Sequence, residues 1–325
     1  DGAREAHGLA HGRTRRAFVP GRLAQAASAG SLRAVLAVGA LGSEAAAARA
    51  IAISQPAVHR ALQALEHLAD VPLFLKSVRG TRATESGEAM LRRVKLALAE
   101  ARALEAEIDA WRGTIRGRVV VGALPLTVSL LLPGAIEALL ERHPEVAVTV
   151  VDGTYESLMR QLRSADVDLV VGALRPGAPA DVRQEALLEE DLVVVARPAH
   201  PCFARRTVAP RDLLRWPWIL PLPGTPGHAA LRRAFDALGL PPPAGGLLAN
   251  SPGFTRATLA DTDRLAIASR GHADLEARAG RLRIVPVALP GTRRAIGMTA
   301  RAIGDPSPEL AALMERLREA ATRHA

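Results

Sequence analysis

At 325 residues the chain is long enough for two or three domains, and 49% hydrophobic with 23% charged residues is the balance of a globular protein, which excludes a disordered or fibrous chain. The net charge of +9 points to a polyanionic partner, discounted because Lys76 and Lys95 are the only lysines among 42 basic residues, an arginine bias that marks a GC-rich genome. The lone Cys202 excludes an intrachain disulfide and fits a reducing cytoplasm. The most apolar early stretch, "AVLAVGALGSEAAAARAIAI", is broken by Glu44 and Arg49 and is not a membrane span.

The charge is unevenly placed. Residues 1–84 hold eleven basic and five acidic residues, a balance of +6, whereas residues 117–325 hold 25 and 22, only +3 over a much longer stretch. A basic N-terminal module is what a nucleic-acid partner requires.

Residues 1–29 lack periodicity and read as a mobile extension. From Ser31, a plausible N-cap, "SLRAVLAVGAL" is helical, "GS" at 42–43 breaks it, and "EAAAARAI" forms a second short helix. A third helix runs from about Gln55 to Leu68. Wound at about 100° per residue, it puts Val58, Ala61, Leu62 and Leu65 on one face and Pro56, His59, Arg60, Gln63 and His67 on the other. Ser54 caps it and Pro56 suits its first turn, so free backbone N–H groups at that end suit a phosphate. Gln55 and Gln63 have the chemistry to pair with adenine, and Arg60 with guanine or phosphate. Taken alone, such a face is more often simply solvated. "DVPLFLKSVRGTRAT" (70–84) then reads as a two-stranded ribbon with a basic tip. Three helices and a ribbon are the layout of a winged helix-turn-helix.

Thr84 caps a long helix running to about Arg112, roughly 42 Å at 1.5 Å per residue, with Glu85 and Glu88 in its first turn. Met90, Val94, Ala97, Ala101, Leu104, Ile108 and Trp111 step by alternating fours and threes. That heptad seam predicts a dimerising coiled coil; burial on the chain's own domain is the alternative. After "GTIRG" (113–117), apolar strands alternate with amphipathic helices, which predicts an α/β domain with a largely parallel sheet. "DLVVVARPAHP" leaves for a second lobe, and "RRAIGMTAR" reads as a long strand crossing back. Two lobes joined by two crossings make a hinged ligand-binding domain.

"SQPAVHRALQALE" and "VPLFLKSVRGTRATESGE" together resemble the N-terminal domain of LysR-type transcriptional regulators, and the resemblance extends over about residues 31–320. It implies an α/β fold with an N-terminal winged helix-turn-helix at 30–84, a dimerisation helix at 85–112, and a two-lobed, periplasmic-binding-protein-like effector domain. Lobe I takes 117–190 plus 290–325 and lobe II takes 191–289. It implies that Ser54, Gln55, Pro56, His59, Arg60 and Gln63 face DNA and that Lys76, Arg79 and Arg82 reach phosphates. Three positions depart from the family pattern. Glu44 puts an acid where an aromatic normally sits, Asp70 replaces the usual helix-ending Gly, and His59 replaces the commonest Ser.

Ligands in such sheets bind at strand carboxyl ends and helix N-termini, which selects 122–127, 150–156, 221–227 and 249–253. Ordinary caps and turns are the competing reading of each. The resemblance implies contacts from Leu126, Thr127, Thr154, Thr225, Asn250 and Ser251 to a small carboxylate or sugar-derived metabolite. Expected partners are promoter DNA, that effector, a second or further copy of the chain, and RNA polymerase. No cofactor, metal ligand set or catalytic residue is expected, since phosphate-loop, nucleophile-elbow and zincin motifs are all missing. A solute-binding protein and an enzyme on a similar two-lobed fold are the alternatives.

Overall fold

The computed structural model describes residues 28–77, 80–124 and 128–323. They form two compact units that divide between Val94 and Lys95, within one long helix.

The first unit opens with α1 (Ala29–Leu41), α2 (Glu44–Ala50) and α3 (Gln55–Ala69). The N-cap of α1 is Ser28, whose hydroxyl accepts from the Ser31 amide, so the expected cap at Ser31 moves one turn upstream. Gly42 ends α1 in the left-handed region (φ 63°), where glycine carries no Cβ penalty. Ala52, in the turn before α3, and Asp70, at the end of α3, take the same conformation (φ 56° and 53°). Asp tolerates it through its short polar side chain; Ala has no such compensation. Strands β1 (Phe74–Ser77) and β2 (Gly80–Ala83) pair antiparallel as the ribbon.

Ala34, Val35, Val38, Ala47, Val58, Leu62, Leu65 and Leu73 bury together as the core of this unit. Helix α4 (Glu85–Trp111) follows, and its Leu91 joins that core. Gly39 lets Leu91 approach, for a Cβ there would lie 2.7 Å from its Cδ1. The Glu66 carboxylate ties α3 to the ribbon by accepting the Leu73 and Phe74 amides at 2.8 and 3.1 Å.

The second unit holds two five-stranded sheets. One has the order β4 (Val146–Asp152), β3 (Gly117–Ala123), β5 (Leu169–Ala173), β12 (Arg294–Arg301), β6 (Val182–Glu190). The other has β11 (Arg283–Ile284), β7 (Leu192–Ala196), β10 (Leu265–Ser269), β8 (Trp218–Leu220), β9 (Leu247–Leu248). Both sheets are largely parallel, as expected, with one reversed strand in each, β12 in the first and β7 in the second. In the first sheet β3 runs parallel to β4 and β5, but β12 runs antiparallel to both β5 and β6. The reason is connectivity: β6 leads out to the second sheet and β12 returns from it, so β12 alone runs against its neighbours in the first sheet.

The helices α5 (Val128–Arg142), α6 (Tyr155–Arg163) and α10 (Pro308–Thr322) cover the first sheet, and α7 (Pro226–Ala237), α8 (Pro252–Ala260) and α9 (Arg270–Arg278) the second. The core of the first lobe is aliphatic, with Val119, Leu131, Leu139, Leu169, Met298 and Leu313 fully buried. That of the second adds Trp218 and Phe235 edge to face at 6.1 Å.

Candidate functional site

Two sites emerge, one in each unit. In the first, α3 presents a polar face built by its own periodicity. Val58, Leu62 and Leu65 point into the core, leaving Gln55, Pro56, Arg60 and Gln63 exposed and His59 half-buried. Ser54 accepts from the Ala57 amide at 3.3 Å, so the entry to α3 is capped from outside the helix. On the ribbon Lys76 and Arg82 are exposed, while Arg79 lies outside the described residues.

Glu44 is the surprise of this face. It is 8% exposed, at the start of α2, and collects two of the expected DNA-facing side chains. The Lys76 Nζ lies 2.8 Å from Oε1, and the His59 Nδ1 lies 3.2 Å from Oε2. Burial pushes the Glu44 carboxyl up, but hydrogen bonds from Lys76 and His59 outweigh it and hold the group below its ordinary 4.5. The acid standing in the aromatic's place is thus an ion-paired hub linking α2, α3 and β1.

The long helix α4 carries the heptad positions in two ways. Val94 is buried and Met90 half-buried, whereas Ala97, Ala101, Leu104, Ile108 and Trp111 are exposed, Trp111 at 79%. These five positions form an exposed, largely apolar stripe that none of the described residues covers.

In the second unit a cleft of about 300 Å³ opens between the two sheets. Thr154, Thr225, Asn250 and Ser251 all line it; Leu126 and Thr127 lie outside the described residues. Three of these are helix caps. Thr154 accepts from the Ser157 amide at 3.2 Å, Thr225 from the His228 amide at 3.3 Å and Ser251 from the Phe254 amide at 3.3 Å. Three helix N-termini, α6, α7 and α8, therefore open on one cavity, and their summed dipoles favour an anion.

The sequence reading missed the cations of the cleft. Arg175 stacks 3.7 Å over the Tyr155 ring and pairs with Glu156 at 3.0 Å. Arg256 pairs with the buried Glu276 at 3.3 Å. Arg294 is the deepest, at the first residue of the returning strand β12. Its Nη2 donates to the Ser269 hydroxyl at 2.6 Å and lies 4.0 Å from the Glu190 Oε2. Glu190 is 7% exposed, its Oε1 accepts the Gly271 amide at 2.8 Å, and neither its Oε2 nor the Arg294 Nε has a partner among the described residues. Burial pushes the guanidinium below its ordinary range against the pull of Glu190. A signal existed: Arg294 is in phase with Ile296, Met298 and Ala300, the buried side of β12, and a charge on that face is out of pattern. Burial likewise lowers the His272 imidazole in the same wall, with Glu276 opposing.

Among the described residues no group of three or more His, Cys, Asp or Glu is arranged to hold a metal ion, and no helix is long and apolar enough to cross a membrane.

Comparisons with known proteins agree with this architecture. Residues 30–88 match the family described as bacterial regulatory helix-turn-helix protein, lysR family, and residues 112–322 match the LysR substrate binding domain. The chain is 38% identical over 279 residues to the HTH-type transcriptional regulator GalR of Pseudomonas putida, covering 86% of this chain and 70% of that one. It is 31% identical over 276 residues to the regulator PcaQ of Agrobacterium fabrum, covering 85% and 89%. Among solved structures, full-length CbnR in complex with its target DNA superposes with a TM-score of 0.66 at 22% identity, over 89% of this chain and 98% of that one. A full-length OxyR variant from Pseudomonas aeruginosa gives 0.68 at 22% identity, over 90% and 93%. Two family domains in this order, with the helical face and the lined cleft, make the chain a member of the LysR family of transcriptional regulators, a DNA-binding winged helix followed by an effector-binding domain.

Proposed function

We propose that the exposed face of α3 reads operator DNA in the major groove, with Gln55, Arg60 and Gln63 toward base edges and Pro56 and His59 beside them. The observation that carries this is the position of Arg60 and Gln55, exposed at the capped, unobstructed entry of a helix whose other face is fully in the core. The Ser54 hydroxyl and the Gln55 amide at that end suit a phosphate, the Ala57 and Val58 amides being taken by Ser54. The ribbon brings Arg82 to the flanking backbone, where the resemblance also assigns Arg79 and where such residues fix register without reading sequence, while Lys76 stands beside them held by Glu44.

The uncovered stripe Ala97, Ala101, Leu104, Ile108 and Trp111, continued by Met90 and Val94, pairs with the same helix of a second copy, as a heptad seam does. Two copies then favour an inverted-repeat site with half-sites about one helical turn apart. The cleft takes a small anionic metabolite, because three helix N-termini and the guanidinium of Arg294 converge there with an apolar wall of Leu124, Val195 and Ile219. Thr154, Thr225, Asn250 and Ser251, with Leu126 and Thr127, orient it. Its binding draws the two lobes together and changes how the paired copies hold DNA, acting on RNA polymerase in the cytoplasm without chemistry of its own.

A mobility-shift titration with the DNA upstream of the gene tests the DNA-reading face. The expected result is salt-sensitive binding that prefers this DNA to random sequence, with Arg60→Ala weakening the specific complex by about 1–3 kcal/mol. A folded chain with no preference over random DNA refutes the reading, and an unchanged constant for Arg60→Ala removes that residue from the interface.

A further inference from the structure

We propose that Glu44 is a built-in competitor for DNA phosphate: its carboxylate occupies Lys76 and His59 on the DNA-facing surface and so trims the sequence-independent part of DNA affinity. This rests on the reading of α3 and the ribbon as the DNA-binding surface.

The argument starts from geometry. Glu44 is buried at the start of α2, yet its two oxygens point at the seam where α3 meets the ribbon, 2.8 Å from the Lys76 Nζ and 3.2 Å from the His59 Nδ1. The Lys76 Nζ also lies 3.4 Å from the His59 Nδ1, so the three groups form one closed cluster. Both partners remain open to solvent, Lys76 at 60% and His59 at 41%, so the cluster lies at the surface a phosphate would approach. The carboxylate plays the part of that phosphate in advance. It stays charged at neutral pH because its partners hold it below 4.5 despite burial.

Which anion wins follows from burial. A phosphate that drew Lys76 away would strand a carboxylate that is 8% exposed, and a buried charge without its partner is strongly unfavourable. Lys76 therefore stays with Glu44 and adds little net charge to the surface. Sequence-independent affinity scales with the number of phosphates neutralised, whereas base contacts from Gln55 and Arg60 do not involve Glu44. Lowering the first and leaving the second raises the ratio of specific to non-specific binding, which is the quantity a regulator needs among many competing sites.

The test is the salt dependence of binding by the full chain to a short mixed-sequence duplex and to the upstream DNA, for wild type, Glu44→Gln and the double variant that adds Lys76→Met. Glu44→Gln frees a cation. It is expected to bind the mixed duplex roughly threefold to tenfold more tightly at low salt, with a log–log slope steeper by about 0.9 and a smaller preference for the upstream DNA. Lys76→Met added to Glu44→Gln removes the freed cation and leaves no lone charge, and this double variant is expected to return to the slope of the wild type. Weaker binding by a folded Glu44→Gln with an unchanged slope makes Glu44 a mere support and overturns the proposal. If Glu44→Gln does not fold, the double variant decides alone: a slope shallower than that of the wild type by about 0.9 shows that Lys76 already reaches a phosphate, and the proposal fails. Wild type that binds neither duplex overturns the DNA reading itself together with this one, whereas wild type that binds normally beside a Glu44→Gln that is no tighter overturns only this one.

Discussion

The two units treat a buried carboxylate in opposite ways. Glu44, in the helical unit, is clamped by a lysine at 2.8 Å and a histidine at 3.2 Å. Glu190, at the crossing between the lobes, keeps its arginine at 4.0 Å, with one oxygen unpartnered among the described residues. The difference follows from what surrounds each group. Around Glu44 one aliphatic core holds α2, α3 and β1 together and so fixes the backbones that carry its partners. Glu190 and Arg294 sit at the two chain crossings beside a cleft, buried, with the Glu190 Oε2 and the Arg294 Nε lacking hydrogen-bond partners among the described residues.

Breaking the open pair has the largest expected effect on stability. Arg294→Met leaves Glu190 buried with no cation and is expected to lower stability by about 3–5 kcal/mol, read by urea unfolding with tryptophan fluorescence. Adding Glu190→Gln to that variant should restore most of the loss, since it removes the stranded charge. A single variant as stable as wild type would show that the two groups do not interact across 4.0 Å.

Glu309, at the start of α10, extends the comparison to a carboxylate with no ion-pair partner among the described residues. It is 6% exposed, its Oε2 has no partner among the described residues, and burial, reinforced by Asp168, raises its carboxyl above the ordinary 4.5. A raised folded-state value means that the native chain holds the proton more tightly than the unfolded chain. Stability is therefore lost as pH rises from about 4.5 through the folded-state value, and is fully present below that window. Glu309→Gln is expected to stabilise the chain on the order of 1 kcal/mol at neutral pH, with the gain vanishing in acid. Thermal unfolding at several pH values reads it, and a gain that grows toward low pH contradicts the assignment.

The smallest effect is expected where the pair is exposed. Lys95 binds both Asp166 oxygens at 2.8 and 2.7 Å, but the side chains are 37% and 42% exposed. Lys95→Met should change stability by less than about 1 kcal/mol, and the difference should disappear in high salt. A larger loss would mean that burial is not what separates the other pairs from this one.

What was legible in the sequence is what depends on neighbours along the chain. The two faces of α3 follow from a period of 3.6, and the caps Ser54, Thr154, Thr225 and Ser251 from a hydroxyl placed just before a helix. The cap at Ser28 rather than Ser31 was missed because two serines three residues apart compete for one turn, and only the backbone path selects between them.

Partnerships across the fold were not legible. Glu44 was visible as an oddity, but that it meets His59, fifteen residues on, and Lys76 on the ribbon depends on how α2, α3 and β1 pack. Arg294 and Glu190 lie far apart in the chain and meet only because the outgoing and returning strands pair antiparallel, Arg294 directly opposite Glu190. Periodicity and capping are short-range and act through a few residues, so the sequence by itself determines which residues face out and where helices begin. Charge pairing and cleft lining act through space, so only the tertiary structure decides which buried carboxylate is clamped by its partners and which keeps an oxygen without a hydrogen bond among the described residues.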